Sequence, residues 1–339
     1  MTARRAIATT LAAVAGTVVG AAVLAVVAMA VSPWPSALLI RRAFDRGGRE
    51  TNAALAPLVP DGVHSRLNVP YDPSDPASLL DVHRPGRPDG GAPLPTIVWV
   101  HGGGWVSGSK DQVANYLRIL AARGFVVVGV DYHLAPRSRY PRPVHQVLTA
   151  LSHLVTHADD LDLDTSRVVL AGDSAGSQIA AQVAAAISDP AYASALGVDP
   201  ALRRDHLRAA LLHCGAYDLD LDGATSRAGA LFMESVLWSY TGRRSAREDP
   251  VLDLASVRRH ASPAFPPTYL SGGDADPLTP QGLAFAERLR EVGVELVADF
   301  PSPGAGEPSL DHEFQFDLSS EAGRATLERS VGFLRTHTA

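Results

Sequence analysis

Ser174 stands between two glycines in Gly172-Asp173-Ser174-Ala175-Gly176, inside Val168–Ala181, a stretch that reads as a buried strand, a sharp turn and the start of a helix. The chemistry this arrangement suits is nucleophilic attack on a carbonyl. A G-x-S-x-G turn between strand and helix is a nucleophile elbow, which lifts the serine hydroxyl above the edge of a sheet. The glycines leave room where the two backbones crowd together and tolerate the dihedrals of a strained turn. The serine also gains from its place at a helix N-terminus, whose free N–H groups and dipole favour negative charge developing on a substrate; the N–H of Ala175 is one such donor. The same five residues also arise as an ordinary turn in a chain rich in Gly and Ser. The flanks favour the elbow: Arg167–Ala171 is a short β-branched and apolar run, and Ser177–Ile187 is an Ala-rich segment of good helix formers.

An activated serine needs an oxyanion hole, a base and an acid that orients the base. His101-Gly102-Gly103-Gly104-Trp105 directly follows the strand candidate Thr96–Val100, the place expected for an HGGG-type loop that presents backbone N–H groups. Successive glycines let the main chain approach a substrate oxygen without side-chain interference. The bland alternative is a flexible glycine turn, and the position after a strand and upstream of the elbow argues against it. His101 is expected to brace this loop by hydrogen bonds, and His145, His153, His157 and His213 to be surface or packed residues.

With HGGGW at 101–105, DYHLAP at Asp131–Pro136, GDSAG at 172–176 and DPL at Asp276–Leu278, the chain resembles the hormone-sensitive-lipase-like family of α/β-hydrolases from about Leu79 to the C-terminus. The resemblance implies hydrolysis of carboxylic esters without metal or organic cofactor, with oxyanion donors at Gly103, Gly104 and Ala175. Chain order in this fold is serine, then acid, then histidine. Asp274 and Asp276 follow the strand candidate Tyr269–Gly272, and the DPL match favours Asp276, with Asp274 as the alternative. Of the two later histidines, His337 lies beside the C-terminus, where fraying is expected, so His312 is the better base. The chain departs from the family where HGF becomes His312-Glu313-Phe314 after a Pro/Gly-rich loop, Pro301–Pro308. It departs again where YRLAPE becomes Tyr132-His133-Leu134-Ala135-Pro136-Arg137, and where GDSAGG ends in Ser177.

The elements that must position these groups follow a strand-then-helix rhythm: Thr96–Val100 strand, Lys110–Arg123 helix, Phe125–Asp131 strand, Pro143–His157 helix, Arg167–Ala171 strand and the elbow helix. Strand candidates Leu207–His213, Tyr269–Gly272 and Val294–Asp299 come later, with helices Pro280–Val292 and Ser320–Thr336. Such alternation implies an α/β fold with a mostly parallel central sheet and helices on both faces. Val63–Val69 and Leu79–His83 read as an antiparallel edge hairpin. Residues 216–266 form an insertion with a helical stretch at Ala228–Tyr240, whose Leu231, Phe232, Leu237, Trp238 and Tyr240 either pack or line a pocket under a cap.

A net charge of −6 gives no basic footprint, so nucleic acid is not an expected partner. Cys214 is the sole cysteine, which excludes an intrachain disulfide and a cysteine-based metal site, and the 12 histidines show no metal-ligand spacing. No charged residue occurs from Ala6 to Val31, long enough for a membrane-spanning helix. A cleaved signal peptide, with Ala28-Met29-Ala30 as the processing site, is the competing reading and would make the protein secreted. Pro33 and Pro35 are expected to stop that helix. The expected organisation is therefore an anchor or signal segment at 1–42, a connector at 43–62 and a catalytic domain at 63–339. The whole reads as a membrane-tethered serine carboxylesterase acting on short to medium acyl or lipid-like esters. A peptidase or acyltransferase with the same triad, and a non-catalytic binding protein on the same fold, are the alternatives.

Overall fold

A computed structural model describes residues 20, 23–24, 26–86, 91–219, 227–244, 250–304 and 308–339 of the chain. Its centre is an eight-stranded sheet of order β1-β2-β4-β3-β5-β6-β7-β8. The strands are β1 (Val63–Pro70), β2 (Leu79–Pro85), β3 (Pro95–Val100), β4 (Val126–Val130), β5 (Asp164–Asp173), β6 (Leu207–His213), β7 (Thr268–Ser271) and β8 (Leu296–Asp299). β1 and β2 form the expected antiparallel hairpin, β2 runs antiparallel to β4, and every later pairing is parallel. This is the α/β-hydrolase arrangement expected from the strand–helix alternation.

Alternation along the buried strands splits the core into two layers. Val98, Val100, Val128, Val130 and Leu170 face one way, against the helices Arg142–Thr156 and Ser174–Ser188. Ile97, Trp99, Val127, Val169 and Ala171 face the other, against Lys110–Ala121 and Glu321–Thr338. Strands buried on both faces explain the continuous apolar runs.

The register explains why distant motifs converge. Val100 pairs with Gly172, so the loop after β3 leaves the sheet beside the elbow. Asp173 pairs with His213, and His213 with Ser271, so the loops after β5, β6 and β7 open on the same edge. In open parallel sheets that carboxyl edge is where ligands bind.

The N-terminal region departs from expectation. Among the described residues no helix is long and apolar enough to cross a membrane, so the transmembrane part of the expected fold has no structural support. Much of the Ala6–Val31 run lies outside the described residues. The helical run before the prolines ends at Val31, as expected, but a second helix follows at once: Pro33 caps, and Pro35 lies in the first turn of, a helix over Trp34–Leu55. Proline is suited to a first helical turn because its missing N–H has no intrahelical partner there. This helix runs across the expected boundary between anchor and connector.

Candidate active site

The elbow is built where β5 gives way to the helix Ser174–Ser188. Ser174 has φ 51, a left-handed backbone that a non-glycine residue adopts only under local strain. Side chains on either flanking glycine would collide with backbone: a Cβ on Gly172 with Gly176 and Val100, one on Gly176 with the carbonyl oxygens of Val100 and His101. The glycines are thus fixed by the fit of the elbow against β3.

A hydrogen-bonded chain runs from Ser174 outward. His312 Nε2 lies 2.8 Å from Ser174 Oγ, and His312 Nδ1 lies 2.9 Å from Asp276 Oδ2. Asp276 is buried and its second oxygen accepts from the Leu278 N–H, which fixes the carboxylate. Asp274 does something else: its Oδ1 accepts from Leu310 N–H at 2.7 Å and braces the segment that carries His312. His337 lies in the last turn of Glu321–Thr338 with its Nε2 3.6 Å from Glu295, apart from the serine. Burial acts to lower the pKa of His312. It is outweighed by the hydrogen bond to Asp276 and the charges of Glu313, Asp276 and Asp173, so the pKa is raised to about 9.

The glycine loop after β3 lies against the elbow. Gly103 has φ 114 and Gly104 φ 58, and a side chain on Gly103 would collide with Ser107. Gly102 N–H donates to Asp173 Oδ2 at 2.8 Å, which ties this loop to the residue before the nucleophile. Trp99 Nε1–H donates to the other oxygen of Asp173. Ala175 is buried at the start of the elbow helix. His101 stacks on Tyr132 at 4.3 Å, and the Tyr132 hydroxyl donates to the His101 carbonyl. His101 therefore braces the loop, as expected, and the Asp131–Pro136 stretch serves as its buttress.

The sequence reading missed several groups. Arg41 of the Trp34–Leu55 helix donates to the carbonyls of Val106 and Ala135, and Asp45 accepts from Ser107 Oγ at 2.7 Å and from Gly108 N–H. This helix therefore clamps the glycine loop. Phe44, Phe232 and Val236 come within 3.5 to 3.9 Å of where a Gly104 side chain would stand, making an apolar wall beside the loop. Their signal in the sequence is the spacing of Arg41, Phe44 and Asp45 on one helix face. Of the insertion residues, Phe232 joins that wall, Tyr240 is buried and stacks on Trp105 at 4.6 Å, and Leu231 is exposed. Lys110, the only lysine, is buried with its ammonium on Asp81, Asp111 and Asn68 and holds the hairpin to the sheet.

Cys214, Asp276 and His312 place possible ligand atoms within 4.8 Å of one another. Both ring nitrogens of His312 are already hydrogen-bonded, and burial pushes the Cys214 thiol well above its ordinary range, so the thiolate a metal needs is disfavoured. The donor set fits a proton-handling site and does not fit a metal.

Residues 97–301 match a family described as alpha/beta hydrolase fold. The chain is 34% identical over 249 residues to Esterase LipC of Mycobacterium tuberculosis, covering 72% of this chain and 59% of that protein. It is 30% identical over 192 residues to an acetyl esterase of Salmonella choleraesuis, covering 54% of this chain and 55% of that protein. The chain thus spans a little over half the length of these relatives. A solved bacterial heroin esterase is 26% identical with a TM-score of 0.70, over 88% of this chain and 94% of that one. With the ordered glycine loop, elbow, acid and histidine, this chain belongs to the hormone-sensitive-lipase-like family of α/β-hydrolases.

Proposed function

We propose that the protein is a serine carboxylesterase. The observation that carries this reading is the unbroken chain Ser174 Oγ, His312 and Asp276, at 2.8 and 2.9 Å, beside a loop of positive-φ glycines. In the proposed cycle Ser174 Oγ attacks the ester carbonyl while His312 Nε2 takes its proton, and Asp276 stabilises the imidazolium. The N–H groups of Gly103, Gly104 and Ala175 receive the negative charge on the carbonyl oxygen. His312 then gives the proton to the leaving alcohol, and water releases the acyl group by the same steps in reverse. The acetyl esterase and Esterase LipC relatives support an ester substrate, and the wall of Phe44, Phe232 and Val236 suits an apolar acyl or alcohol group of short to medium length.

The uncharged run Ala6–Val31 is the basis for a further part of this reading, a tether that holds the enzyme at a membrane where lipid-like esters are concentrated. One experiment addresses both parts. The full chain is expressed, cells are separated into soluble and carbonate-washed membrane fractions, and each is treated with a fluorophosphonate and with p-nitrophenyl esters. Covalent label at Ser174 in the membrane fraction, with turnover that falls by roughly four orders of magnitude in Ser174→Ala, is the expected result. A labelled chain found free and lacking its first thirty or so residues overturns the tether and favours a processed, secreted enzyme. A folded chain with neither label nor turnover overturns the esterase and favours a ligand-binding protein. Label without ester hydrolysis directs the search to peptides and acyl acceptors.

A further inference from the structure

Glu313 occupies a backbone position that suits glycine. Its φ is 63, a left-handed conformation that costs an ordinary residue roughly 1 kcal/mol or more, and strain of this kind collects at functional sites. The side chain explains the placement. Glu313 Oε1 lies 3.9 Å from His312 Nε2, the nitrogen that bonds Ser174, and 3.0 Å from where a Cβ on Gly102 would stand. His312 therefore faces carboxylates through both ring nitrogens, Asp276 on Nδ1 and Glu313 on Nε2.

We propose that Glu313 is a positioning residue for His312: its carboxylate holds the imidazolium form and sets the pH at which Ser174 becomes an activated nucleophile. This rests on the proposed role of His312 as base. The groups facing the imidazole come from four places in the fold. Asp276 follows β7, Asp173 ends β5, Cys214 follows β6, and Glu313 lies on the histidine's own loop. Asp173 and Glu313 are in hydrogen-bonding contact. Burial, then the charge of Glu313, pushes Asp173 well above the ordinary carboxylate range. Cys214 stays a neutral thiol because burial raises it. Asp276 and Glu313 are the two carboxylates placed against the ring nitrogens themselves.

The consequence has a definite sign. A carboxylate beside Nε2 stabilises the protonated ring, whereas attack by Ser174 needs the neutral ring, so activity rises as pH rises toward 9. Glu313→Gln keeps the shape and removes the charge, and Glu313→Gly also relieves the backbone. In both, the acid limb of kcat/KM against pH moves down by about one unit or more. The ring itself is read independently of turnover: the His312 Hε1 resonance, assigned by difference with His312→Asn, titrates near 9 in the wild type and about one unit or more lower in both variants. A resonance that titrates at the same pH in the wild type and in either folded variant overturns the proposal. A resonance that shifts in a protein that never labels at Ser174 leaves the Glu313 coupling standing and instead overturns the esterase reading. A resonance that shifts while the pH profile of Ser174 labelling stays fixed overturns the link to activation.

Discussion

Gly176 meets a steric demand that separates it from the glycines of the oxyanion loop. A methyl group there would drive into the carbonyl oxygens of Val100 and His101, which are backbone and cannot rotate away. A methyl group on Gly104 would meet only side-chain atoms, the nearest being Val236 Cγ1 at 3.5 Å, and its cost is the left-handed φ of 58. Gly176→Ala should therefore lower stability by about 3 kcal/mol or more, and Gly104→Ala by about 1 kcal/mol. Urea denaturation of the two variants checks this, and equal losses would contradict the steric account of the elbow. At this scale the sequence was informative wherever a demand is marked by a short motif. Gly172, Ser174, Gly176 and the glycines after β3 are legible because they fall in contiguous motifs, although the backbone that excludes side chains at Gly172 and Gly176 includes Val100 of β3. Glu313 is visible as a letter, but its contact with Asp173 joins residues far apart in the chain and appears only once β5 and the histidine loop meet.

The element that the sequence misrepresented is the helix Trp34–Leu55. Pro33 and Pro35 serve as both stop and start, one helix ending at Val31 and the next opening at Trp34, and the sequence reading expected only the stop. Tertiary contacts hold the second helix: Ala37 and Leu55 are buried, Arg41 reaches the carbonyls of Val106 and Ala135, and Asp45 holds Ser107 and Gly108. The strands behaved differently. The runs of β3 and β4 are buried on both faces throughout, and β6 is interrupted only by the exposed Arg208, so all three lie where their composition places them. The helix makes a prediction of its own. Arg41→Ala leaves two carbonyls without their charged donor, which should cost roughly 2 kcal/mol. It also frees the turn that presents Gly103 and Gly104, so kcat/KM on a short p-nitrophenyl ester should fall by about tenfold. Arg42 is exposed on the same helix, and Arg42→Ala should leave both quantities unchanged. If the two variants behave alike, the helix covers the site without positioning it.

Across the whole molecule, buried histidines set how stability responds to acid. His213 is fully buried, with its ring over Trp99 at 5.8 Å and Nδ1 bonded to Ser271 Oγ at 2.6 Å. Burial lowers its pKa to about 4, against a small opposing pull from the charge of Asp299. His83 is lowered to about 4 as well, chiefly by burial. A histidine lowered on folding is neutral in both states above its ordinary value near 6.5, so it imposes no pH dependence there. Below that value the unfolded chain takes up a proton that the folded chain refuses, and stability falls until the folded pKa is reached. His312 has the opposite sign: raised to about 9, it contributes stability below 6.5 that is lost as pH climbs toward 9. The acid arm belongs to the buried rings and the alkaline arm to the site, so stability should peak near neutrality while activity still rises. Replacing His213 by Phe isolates one proton. The aromatic contact with Trp99 remains, and the lost bond to Ser271 shifts stability by an amount that is constant with pH. Between pH 7 and 4 the wild type should lose about 3 kcal/mol more than His213→Phe in urea denaturation. Parallel curves would mean that His213 is protonated within the fold, and the acid arm would then have to come from His83 and the carboxyl groups.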